Sequence, residues 1–290
     1  MNHLTRRALL AMFTVSILSS GCSREDAFKD PMAQAASFVK PQERWAGRHL
    51  YDFLKVLPPE KRLALKTSHD LLNKKATLDA LKGAEADALE IRDHLFKLSN
   101  NILLRPWRKA EDLDYHEVVM WTARKLGVPE EELKDSLTTF ELEKKLYRQV
   151  FVDHWDKLTE EQRRQKLDRL GESESGLDRA AIAAMSGSAA WAALSGAVAF
   201  TGFAFYTTMS TLMAAGAGLV GVTLPFAAFS GAASTIAAVT GPVGWAVTAV
   251  AFVGGVALAG RAKAKKSAAL IMEVHALKVL ALKAANKPIP

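Results

Sequence analysis

The chain has 290 residues, 49% of them hydrophobic and 24% charged, which is enough for one large domain or two ordinary ones. Its net charge of +7 is not spread evenly: Arg6 and Arg7 supply +2 and the stretch after Gly260 supplies +6, leaving −1 for residues 22–179. A nucleic-acid-binding face needs its cations clustered on a folded surface, so this distribution argues against a nucleic-acid partner, and the single cysteine excludes a disulfide within the chain.

Arg6 and Arg7 precede an uncharged run over residues 8–18, and Ser19, Ser20, Gly21 and Cys22 follow. A charged start, a short apolar stretch and small residues describe a secretory signal over residues 1–21, since 11 residues cannot span a bilayer that needs about 20. The arrangement resembles the lipobox of bacterial lipoproteins, with Leu18 four residues before the cysteine where that family favours three. The resemblance implies cleavage before Cys22 and lipid modification of it, palmitate included, in a bacterial cell envelope. The paired arginines also resemble a twin-arginine export motif, and Ser23 resembles the class sent to the outer membrane; a periplasm-facing lipoprotein is expected, with inner or outer membrane left open.

Residues 22–45 lack sustained periodicity and read as a tether. Residues 46–178 read as an all-α soluble domain. Pro59 suits a first helical position, and a second helix is expected over residues 84–98. Asp114 with Glu117 forms a capping-box pattern and Gly127 offers a left-handed stop. Pro129 followed by Glu130, Glu131 and Glu132 predicts acids at the positive end of a new helix, while Thr138 with Glu141 and Thr159 with Gln162 repeat the capping device.

Residues 115–167, including Thr139-Phe140-Glu141-Leu142-Glu143 and Trp155-Asp156-Lys157-Leu158, resemble the YaaW-like family of uncharacterised bacterial proteins. Thr223-Leu224-Pro225-Phe226 and Gly241-Pro242-Val243-Gly244-Trp245 resemble that family's glycine-rich apolar end. The resemblance covers about half of the chain and implies an architecture without implying an activity.

Little in the chain points to catalysis. His116 and Glu117 are adjacent and project about 100° apart on a helix, so they cannot share a metal. Asp153-His154-Trp155-Asp156 is the most reactive-looking cluster, and its plainer reading is a helix end where Asp and His meet water while Trp155 closes the core. Glu141 and Glu143 face different ways, Glu141 as a cap partner. There is no His-Glu-x-x-His run, no cysteine pair and no phosphate-binding glycine loop. No enzyme, catalytic residue, metal or cofactor is expected.

Residues 180–260 form an 81-residue run without Asp, Glu, Lys, Arg or His, and 37 of them are Gly or Ala. A bilayer is the simplest solvent for such a run, which has length for a helical hairpin or for three or four passes; helices are expected near 183–206, 211–237 and 243–260. Small residues let helix backbones approach closely, and Gly187, Gly196, Gly218, Gly241, Gly244 and Gly255 are the expected packing positions. Arg261, Lys263, Lys265 and Lys266 then read as cations at the membrane interface. Beyond them Leu270, Ile271, Val274, Leu277 and Ala281 give an apolar stripe, so residues 261–290 read as a basic amphipathic tail on the surface.

The function expected from sequence is therefore a lipid-anchored membrane protein whose C-terminal helices insert and self-associate in a bilayer and perturb it, as a toxin or defence protein would. The rival is a membrane-tethered interaction or assembly factor for an unknown protein partner. In an inner-membrane arrangement with the Lys-rich tail inside the cell, the sequence reading requires an odd number of passes from an external Cys22.

Overall fold

A computed structural model describes residues 30–72, 77–99, 114–168, 178–198 and 259–290. Cys22, the signal segment, Gly218, Gly241, Gly244, Gly255 and the helices expected near 211–237 and over most of 243–260 lie outside the described residues. The described elements are helical, with one isolated bridge between Ala46 and Asp114. The protein is all-α, and no helix among the described residues is long and apolar enough to cross a membrane.

Helix α1 (Pro31–Ala35) is short, yet Met32, Ala35, Ala36 and Val39 are buried and Trp45 is enclosed. The compact unit thus begins at Pro31 and not at residue 46, and the tether reading of residues 31–45 is corrected. A five-residue helix is too brief to show a period. Helix α2 (Gly47–Val56) buries Leu50, Phe53 and Leu54 at helical spacing. It stops at Leu57 because Pro58 disfavours helical backbone in the residue before it, and Pro59 opens α3 (Pro59–Ser68). Helix α4 (Ala84–Ser99) follows Gly83, whose φ of +105° suits glycine.

Helix α5 (Tyr115–Lys125) is capped by Asp114, which accepts from the His116 amide, one residue earlier than a full capping box would use. The bridge with Ala46 fixes Asp114, and the same His116 amide also donates to Trp45 O at 3.0 Å. Gly127, at φ +85°, supplies the expected stop. Pro129 leads only into a three-residue 3₁₀ turn, Glu130–Glu132, where a new helix was expected. There the Glu132 carboxylate is drawn to Lys145 (3.0 Å) and Arg148 (3.3 Å) of the next helix. That helix, α6 (Thr139–Trp155), carries the full capping box predicted from Thr138 and Glu141. Gln162 and Thr159 exchange the same pair of bonds at the start of α7 (Glu160–Asp168).

The helix expected from residue 183 is instead two, α8 (Arg179–Ala184) and α9 (Gly187–Val198). Met185 breaks them, its carbonyl taken by Trp155 Nε1 at 3.1 Å and Arg163 Nη1 at 3.0 Å. Ile182, Ala183, Ala190 and Leu194 are buried in the bundle core, so the uncharged run begins inside the helical bundle.

The last helix, α10 (Ala259–Ala284), departs furthest from expectation. Every residue from Ser267 to Val279 is buried, and the helix packs on α1, α4, α5 and α6. Residues 261–290 are thus not a surface tail: α10 is the central helix of the bundle, apolar enough on every side to be enclosed. At about 1.5–3 kcal/mol for each fully buried large apolar side chain, Leu270, Ile271, Met272, Val274, Leu277 and Val279 make it a major contributor to the core.

Candidate functional site

Four polar side chains meet where α10 crosses α5 and α6. Tyr115 is the first residue of α5, and Glu143 lies on the buried face of α6, opposite the exposed cap residue Glu141. His275 and Lys278 stand three apart on α10, on one face. Glu143 Oε1 accepts from Tyr115 Oη at 2.7 Å and from Lys278 Nζ at 2.7 Å. Its Oε2 accepts from His275 Nδ1–H at 2.9 Å, since an ionised carboxylate can only accept.

The Lys278 ammonium also lies 3.5 Å from the Trp45 ring centroid and 5.0 Å from that of Tyr115, so two aromatic faces complete its solvation. His275 is flanked by Phe140, with ring centroids 4.5 Å apart. Burial works to raise the Glu143 carboxyl, but Lys278 and His275 outweigh it and hold the group below the usual carboxylate range. Burial lowers Lys278 against the pull of Glu143, lowers His275 likewise, and pushes the Tyr115 phenol well above its ordinary value. None of the four is more than 1% exposed, so no substrate reaches them in this form. Their chemistry is cohesion: one ionised carboxylate ties three helices together.

Two further networks tie helices to one another. Glu273 Oε2 accepts from Ser68 Oγ (2.9 Å) and His69 Nε2 (3.1 Å), joining α10 to the end of α3. Lys66, fully enclosed, pairs with Asp87 at 2.7 Å and Glu90 at 3.0 Å between α3 and α4, with the Arg62 guanidinium 3.6 Å from Asp87. None of these pairings is visible as a local motif, because the partners are 21 to 205 residues apart.

The site residues expected from sequence are dispersed. Gly187 is a close-packing glycine, but against the helical bundle: a Cβ there would lie 2.9 Å from the Val152 backbone of α6, and its amide donates to Asp156 Oδ1 at 2.7 Å. Gly196 lies in α9. Arg261, Lys263, Lys265 and Lys266 fall in the first turns of α10, with Lys263 and Lys266 exposed and Lys265 half-buried.

The Asp153-His154-Trp155-Asp156 cluster is split: Asp153 accepts from Gln149 and Asp156 from Gly187, while Trp155 closes the core. His154 does not meet water as expected; it is 6% exposed. His116 is buried with Nδ1 3.1 Å from Thr139 Oγ1, while Glu117 is exposed, so the two diverge. Among the described residues no group of three or more His, Cys, Asp or Glu is placed to hold a metal ion. Comparison of the chain with protein-family models, with curated proteins and with solved structures finds no match.

Proposed function

We propose that this chain is a lipid-anchored membrane protein, attached through Cys22, in which the helical bundle carries an uncharged insertion that enters a bilayer and self-associates there. The observation that supports the reading is the placement of the roots. Helix α9 packs on α6 before residues 199–258, and α10 packs on α6 after them, so both helices that flank this stretch belong to one bundle. The 60 intervening residues are without charge and rich in Gly and Ala. An odd number of crossings would place α10 and its packing partners on opposite faces of the membrane, so the reading takes an even number. Two crossings of about 20 residues fit the length, which favours a hairpin over three helices. Small side chains then provide the close contacts between hairpins of neighbouring copies.

Release of a trapped dye from anionic liposomes tests the membrane-perturbing part. Leakage that rises with protein concentration, together with an oligomer in detergent, is the expected result. No leakage at any concentration from a stable monomer would contradict it.

A further inference from the structure

Histidines stand beside both helices that flank the uncharged stretch, ahead of α9 and along the first half of α10. His154 lies in the last turn of α6, beside Trp155, whose indole holds Met185 just ahead of α9. His94 lies on α4 and faces Lys266 near the start of α10. We propose that His94 and His154 form an acid-opened latch, whose protonation loosens α9 and the first half of α10 from the bundle and frees the insertion between them.

What sets these two apart is the sign of the charge around each ring. His154 Nε2 is buried without a hydrogen-bond partner, and the charged groups facing the ring are Lys166 of α7 and Lys157. Asp153 and Asp156, the nearest acids in sequence, bind Gln149 and the Gly187 amide. His94 faces His69 at 6.2 Å between ring centroids, with Lys266 and Lys97 adding positive charge and Asp70 as the one acid acting on it. His69 already engages Glu273.

By contrast, protonated His275 would meet Glu143, and His116, which faces Arg44, also faces Asp114, Glu143 and Asp135. A proton on either of those finds a carboxylate. A proton on His94 or His154 meets mainly cations in a partly dry setting, which is costly.

Burial first, and then the neighbouring cations, push both His94 and His154 down to about 4. An unfolded or opened chain takes up the same protons near pH 6.5, so the open form binds more protons between those limits. The stability this confers is full above that window and is lost as pH falls through it.

The inference rests on the insertion reading for what is freed, but its test is separate, because opening of the helices can be read in micelles, where there is no bilayer to permeabilise. Hydrogen exchange of the full-length protein in detergent, corrected for intrinsic exchange, is followed from about pH 7.5 to about pH 4.5. Helix α9 and the first half of α10 are expected to lose protection before the α5–α6 pair, with about one proton taken up per histidine. The double variant His94→Gln/His154→Gln is expected to lose about two protons from that uptake. Lys97→Glu and Lys157→Glu, at exposed positions, place a carboxylate toward each ring and should shift opening to lower pH with the fold at neutral pH intact. These reversals decide the matter if the glutamine variants do not fold. An acid response unchanged in the variants that fold, or protection lost everywhere at once, overturns the proposal.

Discussion

Glu143→Ala is expected to lower the unfolding free energy by about 3–5 kcal/mol, the cost of leaving a buried cation without its partner. Lys278 has no route to water at 1% exposure, so the variant must either deprotonate it or open the helix contact. The aromatic faces of Trp45 and Tyr115 do not replace a carboxylate at 2.7 Å. Denaturant unfolding of Glu143→Ala measures the loss, and Glu143→Leu, Lys278→Met and Glu143→Leu/Lys278→Met close a cycle that measures the coupling. The double variant should recover more than half of the loss, because replacing both ions by apolar groups of similar volume is often close to neutral. Double-variant damage equal to the sum of the single losses would show that the groups are not coupled.

Removing residues 261–290 is expected to abolish cooperative unfolding of the remaining chain. The deletion strips the bundle of the buried face of α10 and exposes what it covers on α1, α4, α5 and α6. A surface tail would behave oppositely, and its loss would leave the melting curve of the domain nearly unchanged. Thermal unfolding followed by circular dichroism separates the two. A sharp transition near that of the full chain would rule out a central α10.

The parts of this fold that are legible in sequence are those whose physics is local. Thr138 with Glu141, Thr159 with Gln162 and the left-handed Gly127 all act within four residues, and each appears where its pattern places it. Asp114 was legible as a cap but not in its register, which the distant strand-like contact with Ala46 sets. The identity of α10 was hidden for a different reason. Glu273, His275 and Lys278 interrupt its apolar residues and make it read as a one-sided surface helix. Their burial is accommodated by hydrogen bonds and ion pairs with Ser68, His69 and Glu143, and those partners are 132 to 205 residues away.

Little of the candidate site is legible in the sequence. Glu143 was distinguishable from Glu141 by direction alone, since residues two apart on a helix face different ways. Nothing in the periodicity marked Tyr115, His275 or Lys278 as its partners. The glycine positions show the same limit: Gly187 has the small side chain that close packing requires, while its partner proves to be Val152 of the bundle.

The proposal that α9 and α10 root the insertion in one body, so that the segments before and after the insertion share one side of a membrane, has a direct test. Cysteine is introduced at exposed Lys134, between α5 and α6, or at exposed Lys287, after α10, in the full chain held in bacterial spheroplasts. A membrane-impermeant thiol reagent is then applied from outside. Both positions should be labelled to the same extent before lysis, or both should be protected until it. Labelling of one with protection of the other would place α10 across the membrane from the bundle and contradict this account.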